Sequence, residues 1–140
     1  MSAFTQAEID YLTSVTMGRL ATIGRDGRPH IAPITFVYNA DEDALDLGGI
    51  DFANTKKWRD VQENRNVTFL VDDFSPEGAH AVEVRGDAEL HESGGSKVNP
   101  RFPQFVEQFI RLRPRYIVSW GLEPDTGMTP SGFKALGRPV

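Results

Sequence analysis

The residues best placed to do chemistry are two adjacent lysines, Lys56 and Lys57, preceded by Thr55 and following the glycine pair Gly48-Gly49. The local order reads as short strand, glycine pair, loop and helix start. Lysines in the first turn of a helix oppose the positive end of its dipole, at a cost of roughly a few tenths of a kcal/mol each. An anion bound there reverses the sign of that effect. Free amides, the Thr55 hydroxyl and two ammonium groups would then converge on one phosphate. The residues alone also allow the plainer alternative of two solvated lysines on an exposed helix.

Little else competes for a chemical role. The absence of cysteine removes disulfides, thiolate metal sites and thiol nucleophiles. His30, His80 and His91 do not fall at metal-ligand spacing, so no metal is expected, and histidines in strand-like segments are expected to face solvent. No nucleophile–base pair or carboxylate dyad stands out, and no catalytic acid or base is assigned. A net charge of −5 does not favour nucleic acid, so any bound anion must be held by a local basic cluster. A chain of 140 residues suits one domain with a genuine core. A mean hydropathy of −0.36 fits a soluble protein. No run approaches the roughly 18 apolar residues of a membrane span. The N-terminus has no basic-then-apolar pattern of a secretory signal. A cytoplasmic protein without nucleic-acid or membrane partners is expected.

The elements that must position the lysines follow from periodicity. Thr5 and Glu8 form a capping box, with Phe4 and Ile9 as its staple, and start a helix that ends before Gly18. Arg19 to Ile23 reads as a strand, and Asp26-Gly27 signals a tight hairpin. The return strand, Pro29 to Tyr38, is apolar on both faces, as expected when core lies on one side and a ligand or partner on the other. Pro33 implies an edge or bulge within it. Ala44 to Gly48 gives a third strand, Asp51 to Glu63 a second helix and Val67 to Val71 a fourth strand. Ala79 to His91 alternates cleanly, with Val82, Val84, Gly86, Ala88 and Leu90 inward. Phe102, Phe105, Val106, Phe109 and Ile110 follow helical spacing, and Arg115 to Leu122 reads as the last strand. The expected domain is residues 1–122, followed by a Gly/Pro-rich tail, 123–140, ordered only if something holds it. Six antiparallel strands with three helices suggest a small barrel of α+β class.

The order of these features resembles the pyridoxamine 5'-phosphate oxidase-like flavoprotein superfamily, and within it the small actinobacterial branch that depends on coenzyme F420. The resemblance is carried by Pro29-His30-Ile31-Ala32-Pro33-Ile34-Thr35-Phe36-Val37, by Thr55-Lys56-Lys57, by Gly86-Asp87-Ala88 and by Tyr116-Ile117-Val118-Ser119-Trp120. It spans about residues 5 to 122. It implies a six-stranded FMN-binding split β-barrel with flanking helices, forming a homodimer with a cofactor at the subunit interface. Thr55, Lys56 and Lys57, after Gly48 and Gly49, would hold the cofactor phosphate. Ile34, Thr35 and Phe36 would lie along the tricyclic ring, largely through their backbone, and Trp120 would flank it. The cofactor performs hydride transfer in such proteins, and the chain positions it and excludes water. The implied activity is an F420-dependent reductase acting on a small organic, apolar or conjugated substrate. FMN in the same place is the alternative, and a non-catalytic dimer that binds a cofactor or tetrapyrrole-like ligand is another. Arg19, Arg59 and Arg65 are the candidates for the anionic tail of a deazaflavin. The chain lacks the arginine-containing C-terminal substrate segment of pyridoxamine phosphate oxidase proper, which argues against vitamin B6 oxidation.

Overall fold

The structure, a computed structural model, describes residues 1–98, 100 and 107–140. Its centre is six antiparallel strands: β1 (Met17–Ile23), β2 (Pro29–Asn39), β3 (Ala44–Gly48), β4 (Asn66–Ser75), β5 (Gly78–His91) and β6 (Phe109–Trp120). They follow the order β3-β2-β1-β4-β5-β6, and a further pairing of β3 with β6 closes the barrel. Helix α1 (Gln6–Ser14) precedes the barrel, and α2 (Lys56–Glu63) links β3 to β4. This is the expected α+β split barrel.

Alternation explains the core. Leu20, Ile34, Phe36, Leu47, Phe69 and Ile117 turn inward from different strands and are almost fully buried. Each such side chain contributes roughly 1.5–3 kcal/mol on removal from water. The Asp26-Gly27 hairpin joins β1 to β2 and pairs Ile23 with Pro29 and Thr22 with His30. Pro33 lies opposite Arg19, whereas β3 pairs with β2 only from Thr35 onward. The far edge therefore has no ladder for the proline to interrupt. Gly86 sits at a bulge opposite Pro114. A Cβ there would stand 2.0 Å from the Arg113 carbonyl oxygen, so only glycine allows the approach.

Two expectations need correction. Phe109 and Ile110 are not helical but open β6, which runs through Pro114 to Trp120; Phe102, Phe105 and Val106 lie outside the described residues. Ile110 and Leu112 alternate into the core, a period of two that the spacing of the phenylalanines concealed. The helix expected from Asp51 is broken: Phe52–Asn54 is a 3-10 turn, and Thr55, in extended conformation, starts α2 afresh. The tail, expected to be ordered only if something holds it, is held against β6 and carries strands. β7 (Gly127–Thr129) and β8 (Gly132–Lys134) form a hairpin, and β9 (Leu136–Pro139) pairs with β6. One edge of β6 thus serves two partners, β3 along Phe109–Leu112 and β9 along Tyr116–Ser119.

Candidate functional site

The β2–β3 pairing sets Thr35 opposite Gly48, and the Thr35 hydroxyl donates to the Gly48 carbonyl. Beyond Gly49 the chain turns through Asp51, at φ 51°, into the 3-10 turn and then α2. Thr55 is the N-cap of α2. Its hydroxyl oxygen accepts the Trp58 amide at 3.4 Å, and its O–H donates to the Phe52 carbonyl at 2.7 Å. The amides of Lys56 and Lys57 are left without an acceptor among the described residues, as expected for the first turn of a helix.

The two lysines differ. Lys56 Nζ lies 3.1 Å from Asp60 Oδ1, and Asp60 Oδ2 accepts the Thr22 hydroxyl at 2.9 Å. Asp60 is only 4% exposed. Burial pushes its carboxyl up, but hydrogen bonds from Lys56 and Thr22, with the nearby charges of Lys56 and His30, outweigh burial and hold it below the ordinary value. Lys57 is half-buried and forms no ion pair among the described residues. A phosphate at this helix start would therefore meet two amides without acceptors among the described residues, with the cations of Lys56 and Lys57 on the same first turn. The residues fit the group.

Ile34 and Phe36 send their side chains into the core, so what they offer outward is backbone. Between them Thr35 faces out, on a surface where Ile31 and Met17 are 67% and 54% exposed. The doubly apolar strand is thus half covered by core and half bare within one chain. Trp120 stands at the far end of β6, edge-to-face on Phe133 with ring centres 5.5 Å apart. The cleft it lines contains Met128 and His80 but none of Thr55, Lys56 or Lys57. Thr35 and Gly48 are thus paired across β2 and β3, Thr55–Lys57 open α2 farther along the chain, and Trp120 lines a cleft that holds none of the latter three. Of the three arginines suggested for an anionic tail, Arg19 is paired with Asp72, and Arg65 reaches the Ala88 carbonyl at 3.4 Å. Arg59 lines a groove with Arg25, Lys56, Asp60 and Glu63, in which Arg25 pairs with Glu63 at 2.8 Å and Lys56 with Asp60.

The sequence profile described as pyridoxamine 5'-phosphate oxidase matches residues 4–120, from the first turn of the N-terminal segment to the end of β6. The chain belongs to that family. Among its relatives is a 5a,11a-dehydrotetracycline/5a,11a-dehydrooxytetracycline reductase of Streptomyces rimosus subsp. rimosus. It is 39% identical over 125 residues, covering 87% of this chain and 86% of the relative. Among solved structures, the FAD binding protein of Mycobacterium smegmatis superposes with a TM-score of 0.61 at 26% identity, covering 85% of this chain and 96% of that one. An F420 reductase gives a TM-score of 0.61 at 24% identity, covering 77% and 94%.

Sequence reasoning missed the support beneath the lysines. Asp60 lies four residues after Lys56, the spacing of a helical ion pair, and that signal was available. His30 was expected to face solvent; instead its Nε2 is buried and has no hydrogen-bond partner among the described residues. It lies opposite Thr22, whose hydroxyl holds Asp60, so it shares the face on which α2 is anchored. Nothing in the residue types marked that burial.

Proposed function

We propose that this chain is a reductase of its family that holds the phosphate of a deazaflavin, coenzyme F420, at the start of α2 and reduces a conjugated carbon–carbon bond in a small organic molecule. The observation that carries the reading is the pair of amides, Lys56 and Lys57, without an acceptor among the described residues at the start of α2, in a chain 39% identical to a reductase. The name of that relative describes saturation of one double bond in a fused-ring substrate, a net addition of one hydride and one proton. When bound, a reduced deazaflavin supplies the hydride.

The chain's own residues do the rest. Thr55 fixes the helix start, and Lys56 and Lys57 neutralise the phosphate. The backbone of Ile34–Phe36 lines the ring. A second copy of the chain covers the bare outer face of β2 and excludes water, and Trp120 flanks the ring across that contact. FMN in the same place is the second reading, favoured by the 26% identical FAD-binding neighbour. It needs only the phosphate cluster, whereas the anionic tail of F420 also needs further cations, of which Arg59 forms no ion pair among the described residues. The test is turnover: reduced F420 should be oxidised in the presence of a fused-ring enone. Oxidation of reduced FMN alone would favour the second reading. Binding of either cofactor without turnover would make the protein a non-catalytic carrier.

A further inference from the structure

We infer that the end of β6 and the β7–β8 hairpin form a second ligand site, in which the Trp120 and Phe133 rings and the Glu77 carboxylate hold a small organic cation, a methylated ammonium group. The site needs only this corner of the molecule and does not rest on the cofactor reading.

Local backbone chemistry builds the corner. Trp120 lies opposite Ala81 at the end of β6, and the chain turns at once through Gly121, at φ 78°. A Cβ on Gly121 would stand 2.0 Å from the Ala79 carbonyl oxygen, so only glycine allows the turn. Gly127 packs against Gly121, and the Thr126 hydroxyl clasps the loop between them. Its oxygen accepts the Gly121 amide at 3.1 Å, and its O–H donates to the Glu123 carbonyl at 2.7 Å. The hairpin that follows pairs with no other strand among the described residues. Two strands of three residues are not stable by themselves, so the clasp and the Trp120–Phe133 contact hold them in place. The arrangement displays apolar surface instead of burying it, for Phe133 is 57% and Met128 83% exposed.

Ring geometry and charge decide what the ligand carries. The Trp120 and Phe133 planes meet at 72°, two walls of a corner. The negative face of an aromatic ring attracts a cation, most strongly in tryptophan, and aromatic corners of this kind suit quaternary ammonium groups. Among the described residues the chain places cations over Tyr116 and Phe109 but none over these two rings. Glu77 lines the cleft, and its carboxylate has no ion pair or hydrogen bond among the described residues. The other charges balance or add to it. His80 Nδ1 lies 3.3 Å from Asp73, and Asp72, in register with Ala81 and so with Trp120, is paired with Arg19. Lys134 does not line the cleft; it follows Phe133 on β8 and alternates to the opposite side. The clasped loop carries Glu123 and Asp125. The volume is about 190 Å³, room for one compact cationic group. It is smaller than the roughly 300–1,000 Å³ of a site for a drug-sized molecule.

Choline is the probe, and its neutral isostere, with a tert-butyl group in place of the trimethylammonium group, is the control. Titration of the full, cofactor-free chain is followed by the indole N–H resonances of its two tryptophans. Choline should shift Trp120 and leave Trp58, buried in the core, unmoved. Choline should bind the wild type about tenfold more tightly than the isostere. Phe133→Leu, which keeps apolar area but removes the aromatic face, and Glu77→Gln should each weaken choline about threefold and leave the isostere unchanged. Both positions are exposed, so both variants should fold, and the comparison of choline with its isostere needs the wild type alone. Equal binding of the two probes, or no choline-dependent shift at Trp120, overturns the site. Loss of self-association in Phe133→Leu, with no choline binding by the wild type, would assign the patch to a contact between copies and overturn it as well. The titration contains no cofactor, so its outcome is separate from the fate of the reductase reading.

Discussion

Arg138 and Glu8, 130 residues apart in sequence, form an ion pair that joins the last strand to the first helix, with Arg138 Nη1 2.9 Å from Glu8 Oε2. Glu8 is fully buried and also accepts the Ser119 hydroxyl and the Thr5 amide. Arg138 Nη2 donates to the Ala3 carbonyl at 2.8 Å as well. The C-terminal segment is thereby a structural part of the barrel. Removing Arg138 leaves a buried carboxylate without its cation, so Arg138→Ala should lower stability by roughly 3 kcal/mol in urea titration. A loss below about 0.5 kcal/mol, the scale of ordinary surface substitutions, would show that the pair does not anchor β9.

The same carboxylate sets part of the acid response. Burial pushes the Glu8 carboxyl up, but Arg138, Ser119 and Thr5 together outweigh it and hold it below the ordinary value of 4.5. Asp60 is likewise held below 3.8. A carboxylate with a depressed folded value contributes its full stability above the unfolded value and loses it as pH falls through the folded one. Thermal melts should therefore be level from about pH 7 to 5 with respect to these groups and fall steeply below about pH 4.5. The Glu8→Gln variant should start lower and fall less. An identical slope in that variant would remove Glu8 from the acid transition.

The two lysines at α2 should differ in the cofactor-free protein. Lys56→Ala strands the buried Asp60 with only the Thr22 hydroxyl and should cost about 1 kcal/mol. Lys57 opposes the helix dipole without a partner, so Lys57→Ala should be neutral or stabilising by a few tenths of a kcal/mol. The sequence alone suggested that removing either lysine would help; the ion pair to Asp60 reverses that for Lys56. Equal effects in thermal melts would mean that the Lys56–Asp60 contact is idle.

The bare apolar face of β2 predicts self-association. Light scattering at micromolar concentration should give a dimer, and a stable interface would bury on the order of 2,000 Å². Ile31→Asp should favour the monomer and weaken cofactor binding together. A monomeric wild type that binds cofactor normally would show that the site is complete in one chain.

The barrel was legible because its strands alternate and its first hairpin carries Asp26-Gly27, both local signals. The α1 cap was legible for the same reason, with Thr5 and Glu8 three residues apart. What stayed hidden is long-range. Glu8 reads as a capping residue, and nothing near it announces Ser119 or Arg138. Phe109 satisfies a helical stripe and a strand equally well, and only its pairing with Gly48 and His91 decides the matter. In the site, Thr55, Lys56 and Lys57 stood out by type and spacing. The hold of Asp60 on Lys56 was readable by its spacing of four, whereas the burial of His30 depends on the long-range docking of α2 against β1.

The central claim is that the start of α2 binds a cofactor phosphate. Titration of the cofactor-free protein with F420 and with FMN, for the wild type and for Lys56→Ala/Lys57→Ala, tests it most directly. The double variant should bind the preferred cofactor at least about 2 kcal/mol more weakly, roughly thirtyfold, since charge-assisted bonds to phosphate are lost. Lys57→Ala, which should not disturb the fold, should account for a measurable share of that loss. Unchanged affinity for both cofactors, or no binding of either by the wild type, would contradict the account.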